Sequence, residues 1–213
     1  MNQTTLPIFP LNNLILPGEK KFLHIFEERY KELLKDCLNS GSDFGVVTWL
    51  KNKPDSTRVL SEFGVAVKIV RILKTTEKGE TDLIVEGDGI FKMTNFKSVA
   101  SPKLYGMAEA DFFQTEYITR NTELISSVNS VLKMLGKNMV SINTDEISVF
   151  KLAEKINLSN EEKYKLLKCE ALEGKENLML NKIKQEILIL DAEKKLDGDF
   201  WLRSEEHTSE LQS

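Results

Sequence analysis

The order of structural signals near the start of the chain decides its fold. Residues 6–38 read LPIFPLNNLILPGEKKFLHIFEERYKELLKDCL. The two prolines of Leu6–Leu11 indicate an edge or entry strand, because proline cannot donate a ladder hydrogen bond, and Pro17-Gly18 indicates a turn. Phe22–Phe26 then predicts a strand, and Glu27–Asn39 predicts an amphipathic helix. The apolar face of that helix consists of Tyr30, Leu33, Leu34, Cys37 and Leu38.

Short strand-like stretches continue to about residue 113. They are Phe44–Leu50, Phe63–Leu73, Thr81–Val85, Ile90–Val99 and Tyr105–Phe113. Glu77–Glu80 and Glu86–Gly89 are predicted turns, and Lys51–Ser56 is a polar loop. Short strands joined by tight turns favour an antiparallel sheet that closes on itself or folds over.

After Thr119 the apolar period changes from that of a strand to that of a helix. One stripe comprises Leu124, Ile125, Val128, Val131, Leu132 and Leu135. Asn143–Glu146 is a predicted helix start, with Ile147, Phe150 and Ala153 facing inward. Ser159 and Glu162 form a capping box, and a final helix is expected from about Lys175 to Leu196. Its stripe is Leu180, Ile183, Ile187 and Leu190. We therefore expect a β subdomain over residues 1–118 and a helical subdomain over residues 119–202.

The tail 203–213 reads RSEEHTSELQS, which is what an in-frame sequencing adapter encodes. We interpret it as a translation artefact and exclude it from fold reasoning; a natural polar tail is the alternative. On this interpretation the sequence after Leu202 does not give the true C-terminus.

Composition places the chain among ordinary globular proteins. It has 213 residues, 41% hydrophobic and 29% charged, with a net charge of −4 spread evenly along the chain. The apolar runs are too short to cross a bilayer and no signal sequence is visible, so we expect a cytoplasmic protein that does not enter a membrane. Cys37 and Cys169 are expected to be reduced. The lack of a basic cluster disfavours nucleic-acid binding.

Motifs that carry catalysis are missing from the sequence. There is no Walker A loop, no G-x-S-x-G elbow and no H-E-x-x-H helix. Outside the tail, His24 stands alone in an apolar strand and is assigned a structural role. The pairs Glu86/Asp88 and Asp197/Asp199 adjoin glycine and are assigned to turns. We therefore expect no enzyme activity, no metal and no cofactor.

The first fifty residues resemble the Lon protease N-terminal (substrate-binding) domain family, especially its stand-alone bacterial members. The matching motifs are Leu6–Leu11, Pro17-Gly18 and Ile25–Tyr30. Glu28 departs from the pattern, since members often carry proline there. Gly64-Val65-Ala66, Gly87–Phe91 and Leu158–Leu167 resemble later parts of the family, out to about residue 196.

The resemblance implies an α+β fold, in which a PUA-like antiparallel β-barrel or curled sheet with one helix is followed by an α-helical bundle. In full-length Lon proteases this region helps to capture substrates and to assemble the ring, and the ATPase and peptidase domains follow it. The sequence is expected to end before either, so a protease label would rest on resemblance alone. The implied role is a non-catalytic peptide-binding module in protein quality control.

Candidate peptide-binding residues are apolar runs and one charged pair, namely Leu14, Ile15, Leu16, Glu28, Arg29, Phe112 and Phe113. The expected partners are unfolded or exposed apolar peptide segments, with a separate Lon protease as a further candidate. Burial of the apolar candidates under the helical half is the competing interpretation. An RNA-binding module is the alternative function, because PUA-like folds also serve nucleic acids, and a hydrolase is a third hypothesis.

Overall fold

The computed structural model describes residues 4–51, 58–113, 116–140 and 147–209, together with their side chains except those of residues 51 and 195–209. The first part contains β1 (Thr4–Leu11), β2 (Lys20–Ile25), α1 (Glu28–Ser40), β3 (Phe44–Lys51), β4 (Arg58–Leu60), β5 (Phe63–Thr75), β6 (Thr81–Lys97) and β7 (Gly106–Phe112). The second part contains β8 (Ile118–Thr119), α2 (Thr122–Met134), β9 (Ile147–Ser148), α3 (Val149–Ala153), α4 (Asn160–Lys168) and α5 (Leu172–Ser209). The expected α+β class, a curled sheet followed by helices, is confirmed.

The main sheet curls because β1 has a different neighbour along each of its halves. Its strand order is β1-β7-β6-β5-β3-β4, and β2 pairs with β6. Thr4–Ile8 runs antiparallel to β7, whereas Ile8–Leu11 runs parallel to β3. The sequence had suggested a purely antiparallel sheet. The parallel pairing of β1 with β3 shows that the sheet is mixed. Each proline of β1 lies where the strand has one neighbour, which is where a missing N–H is tolerated.

β6 is a single strand across Glu86–Gly89, where the sequence predicted a turn. Gly87 lies against the loop that follows β1: its amide donates to the Glu19 carbonyl at 3.0 Å, and its carbonyl accepts from Gly18 at 2.8 Å. A Cβ at Gly87 would come within 2.2 Å of the Leu16 carbonyl oxygen. Glycine is thus required here for close approach inside a strand, so the turn assignment was wrong.

The carboxylates beside Gly87 point to the outer face of the sheet. Lys20 lies 3.6 Å from Glu86, and Lys68 lies 2.7 Å from Asp88. Both are exposed ion pairs across neighbouring strands, which contribute little to stability. The side chains of Asp197 and Asp199 lie outside the described residues.

Helix α1 follows the predicted apolar face closely. Tyr30, Leu33, Leu34 and Cys37 are buried, whereas Leu38 is exposed. The helix ends at Gly41, whose φ of 67° is left-handed and whose amide donates to the Cys37 carbonyl. Glycine adopts this conformation without a steric penalty.

The helical part differs from the prediction mainly at its boundaries. Five of the six predicted positions of α2 are buried, and Leu135 is exposed. The predicted helix start at Asn143–Glu146 lies outside the described residues. β9 comes next and pairs with β8. The predicted inward positions Ile147, Phe150 and Ala153 are buried. The capping box of Ser159 and Glu162 is present. Helix α5 begins at Leu172, before the predicted Lys175, and extends to Ser209.

One apolar core joins the two parts of the chain. It contains Leu14 and Val46 from the β part together with Leu124, Phe150 and Ile183 from the helices. The division at residue 118 and the adapter interpretation of the tail stay predictions. None of the helices in the described part of the chain has the length and hydropathy needed to cross a bilayer.

Candidate functional site

An open groove of about 430 Å³ runs between the end of β1, the start of α1 and the β3–β4 hairpin. We call it the aromatic groove. Its apolar lining includes Phe9, Leu11, Phe26, Tyr30, Trp49 and Leu60, and its polar lining includes His24, Glu27 and Arg29. The parallel pairing of β1 with β3 brings these distant segments together.

The floor of the groove is formed by aromatic rings that pack into the core. Phe9 and Tyr30 meet edge to face with ring centroids 4.3 Å apart, and Phe9 meets Phe44 at 5.9 Å. Edge-to-face contacts of this kind add to the stabilisation from burial. Burial raises the pKa of the Tyr30 hydroxyl.

Two aromatic side chains of the groove remain substantially exposed. Phe26, which directly follows β2, is 58% exposed, and Trp49 on β3 is 42% exposed. Trp49 is paired across the hairpin with Leu60 of β4. Large apolar side chains that converge on one concave surface are characteristic of binding sites.

His24 holds one rim of the groove rather than occupying the core. Its ring stacks on Phe26 with centroids 5.8 Å apart, and its Nδ1 lies 2.6 Å from the Asp82 carboxylate. Phe22, His24 and Phe26 are two residues apart and all exposed, as expected for one face of an extended segment. His24 therefore lies against the Phe26 ring at the rim of the groove, and its structural role stays a prediction.

Arg29 places a guanidinium group at the groove, ion-paired with Glu27 at 2.7 Å. Its Nε donates to Glu27 Oε2 at 2.9 Å, and the guanidinium carbon lies 4.5 Å from the centre of the Tyr30 ring. A guanidinium held on both sides keeps donors available for a carbonyl or carboxylate of an incoming chain.

Open strand edges lie beside the aromatic groove. Among the described residues, β2 pairs only with β6, and β4 pairs only with β3. The outer edge of such a strand carries unpaired main-chain donors and acceptors. An extended peptide can add to an edge of this kind.

The structure places only one of the seven sequence candidates in the aromatic groove, namely Arg29. Leu14, Ile15 and Leu16 are completely buried in the core, so in this conformation they offer no surface to a peptide. Both parts of the chain surround them: Asn160 Oδ1 of α4 accepts from the Leu14 amide at 3.0 Å, and the Leu16 backbone lies against Gly87 of β6. Peptide contact through these three residues stays a prediction, with burial as the argument against it.

The other three candidates lie elsewhere on the molecule. Glu28 is exposed and forms an ion pair with Lys31 at 2.8 Å. Phe112 is exposed next to Phe91, with ring centroids 6.1 Å apart. Phe113 is partly buried against Phe63 at 5.7 Å.

Phe26 and Trp49 were not among the candidates predicted from the sequence. For Phe26 a signal existed, because Phe22, His24 and Phe26 occupy alternate positions opposite the buried Leu23 and Ile25. For Trp49 no local signal existed, since its exposure depends on how β1 and β4 lie beside β3.

A large curled sheet followed by helices, with an open groove at the start of the first helix, defines an α+β domain with a surface suited to ligands. The family model described as the ATP-dependent protease La (LON) substrate-binding domain matches residues 5–185. This match covers most of the chain, and the protein therefore belongs to the Lon substrate-binding domain family.

Solved structures agree with this assignment. The crystal structure of a Lon N-terminal domain protein from Xanthomonas campestris is similar with a TM-score of 0.64 at 26% identity, covering 83% of this chain and 98% of that one. The N-terminal domain of a Mycobacterium avium complex Lon protease is similar with a TM-score of 0.54 at 13% identity, covering 85% and 98%; at that identity the likeness concerns the fold alone. No curated protein matches this chain in sequence.

Proposed function

We propose that this protein is a non-catalytic module that binds extended, apolar segments of unfolded polypeptides in the aromatic groove. The observation that carries the proposal is that Phe26 and Trp49 are both exposed at one groove beside the fixed guanidinium of Arg29. Exposing two large aromatic rings to water is unfavourable, and a bound apolar side chain would remove that cost.

We propose that the aromatic rings, Arg29 and the strand edges each contribute a different kind of contact to the bound chain. The rings supply apolar contact area, and Arg29 fixes one polar group of the bound chain. The open edges of β2 and β4 supply main-chain hydrogen bonds, which do not depend on the sequence of the ligand. A site of this kind selects extended apolar segments without requiring one motif, as a quality-control role demands.

The proposal also covers the compartment and the partner proteins of the module. We propose that the module works in the cytoplasm, with unfolded proteins as clients and a separate Lon protease as a partner, and that it neither hydrolyses peptide bonds nor uses ATP. Peptidase assays on the purified chain with and without ATP check this. Turnover that survives repurification would contradict it.

A titration of the protein with a permanently unfolded protein, reduced and carboxymethylated α-lactalbumin, tests the groove. We expect saturable binding in wild type. We expect Phe26→Ser and Trp49→Ser each to weaken it by about five- to thirty-fold, which corresponds to about 1–2 kcal/mol per ring. Arg29→Ala should weaken it less.

Two matched variants show whether the effect belongs to the groove. Leu188→Ser removes an exposed apolar side chain from α5, and Phe112→Ser removes an exposed ring from β7. Both should bind as wild type does. If Phe112→Ser alone lowered the affinity, the binding surface would lie at β7 and the groove proposal would fail.

A further inference from the structure

The distal half of β5 is an open sheet edge. Val65–Val67 lies between β3 and β6. From Lys68 to Thr75, β5 pairs only with β6 among the described residues. We call residues 68–75 the β5 edge. None of its residues lines the aromatic groove.

The β5 edge exposes three large apolar side chains within four positions. Val70 is 48% exposed, Ile72 41% and Leu73 44%. The register shifts between Ile69 and Arg71 and between Ile72 and Lys74 leave Val70 and Leu73 without a partner on β6. These two bulges break the alternation of the strand, so apolar side chains are not all directed to the core.

The same eight residues carry three positive charges and no acidic residue. Lys68 is engaged with Asp88 at 2.7 Å. Arg71 and Lys74 make no ion pair or side-chain hydrogen bond with the part of the chain that the structure describes. Both are exposed. Two available cations, three positions apart, therefore flank the apolar side chains.

The charge pattern decides between occupants of this edge. In a second copy paired edge to edge, Lys68, Arg71 and Lys74 would face the same three cations, and like charges opposite each other are destabilising. An acidic segment meets them with opposite charge. The exposed side chains are aliphatic, whereas surfaces for single-stranded nucleic acid present aromatic rings for stacking.

We infer that the β5 edge is a second docking surface, separate from the aromatic groove, for an acidic and apolar extended segment of a partner protein. Carboxylates of the segment pair with Arg71 and Lys74, and its aliphatic side chains cover Val70, Ile72 and Leu73. The bulges limit regular strand pairing, so side-chain charge contributes more to selectivity than main-chain hydrogen bonds do.

Fluorescence anisotropy with labelled octapeptides tests the inference. One probe alternates Glu or Asp with Val and Ile; the control probe has Lys in place of every acid. We expect the acidic probe to bind and the basic probe not to bind. The double variant Arg71→Glu/Lys74→Glu should weaken binding by about ten-fold or more, and high salt should weaken wild-type binding, because exposed charges are screened.

Three further variants make the result specific. Lys133→Glu/Lys137→Glu changes the net charge equally in the last turn of α2 and just after it, and should bind as wild type does. Ile72→Ser should weaken binding, whereas Phe26→Ser, in the aromatic groove, should not. Thermal unfolding of each variant shows that the fold is retained.

Four outcomes would overturn the inference. They are equal binding of both probes, no effect of the Arg71→Glu/Lys74→Glu variant, loss of binding in Phe26→Ser alone, and a wild-type dimer in sedimentation that Ile72→Ser dissociates. The last would identify a second copy as the occupant.

Discussion

Lys175 is a completely buried lysine, and its replacement by methionine should change how stability depends on pH. The side chain lies in the first turn of α5, where Nζ donates to the Leu166 carbonyl at 2.6 Å. Nζ also lies 4.2 Å from the centre of the Tyr117 ring and 5.0 Å from that of Phe150. One carbonyl and two ring faces replace the water that an ammonium group normally binds.

Desolvation lowers the pKa of Lys175 from 10.5 to about 8, although nearby Cys169 acts in the opposite direction. The unfolded chain therefore holds this proton to higher pH than the folded chain. The free energy of unfolding must rise with pH between about 8 and 10.5. Integrated over the window, the contribution is roughly 3.4 kcal/mol, of which about 1.4 kcal/mol is gained between pH 7 and pH 9.

Denaturant unfolding of wild type and Lys175→Met, followed by circular dichroism at both pH values, measures this term. The difference in unfolding free energy, wild type minus variant, should increase by about 1.4 kcal/mol from pH 7 to pH 9. Titrations of groups that do not interact with Lys175 cancel in that difference. One example is the Cys37 thiol, whose pKa burial raises, so that its titration lowers stability at high pH in both proteins. Lys184→Met, an exposed position on the same helix, is the control. A constant difference for Lys175→Met would refute the reasoning.

Three further substitutions test a close backbone contact, an ion pair between the two parts of the chain and a helix cap. Gly87→Ala places a methyl group 2.2 Å from the Leu16 carbonyl oxygen and should destabilise by about 2–3 kcal/mol; an unchanged melting temperature would contradict the strand assignment. Lys163→Met leaves the mostly buried Glu19 carboxylate, 2.8 Å from Lys163 Nζ, without its ion-pair partner. This should cost about 3 kcal/mol of stability, and adding Glu19→Gln in a double variant should restore part of it. Additive losses would show that the pair is uncoupled. Ser159→Ala removes the α4 cap and should cost about 1 kcal/mol in chemical unfolding, while no loss would exclude a stabilising cap.

Features set by neighbouring residues were predictable from the sequence. The apolar face of α1 and the capping box at Ser159 depend on spacings of three or four residues. Both are present in the structure. The predominance of helices after β7 also agrees with the change in apolar periodicity.

Features set by distant contacts were not predictable. The stretch around Gly87 contains turn residues, yet it continues as a strand because the Leu16 backbone lies against it. Burial of Leu14 was one of the interpretations that the sequence allowed, but its contact with Asn160, 146 positions away, is not visible in the sequence. The exposure of Trp49 also depends on distant segments, so no local sequence pattern predicts it.

Binding at Trp49 is best measured through its own fluorescence. The chain has two tryptophans, Trp49 and Trp201, so Trp201→Phe leaves Trp49 as the single reporter. The ligand is unfolded, carboxymethylated α-lactalbumin whose own tryptophans have been oxidised and no longer fluoresce. On titration with it, Trp49 emission should shift to shorter wavelength and saturate. Phe26→Ser should weaken this response. Saturable binding of the unfolded protein with no change in Trp49 emission would contradict a role for the aromatic groove.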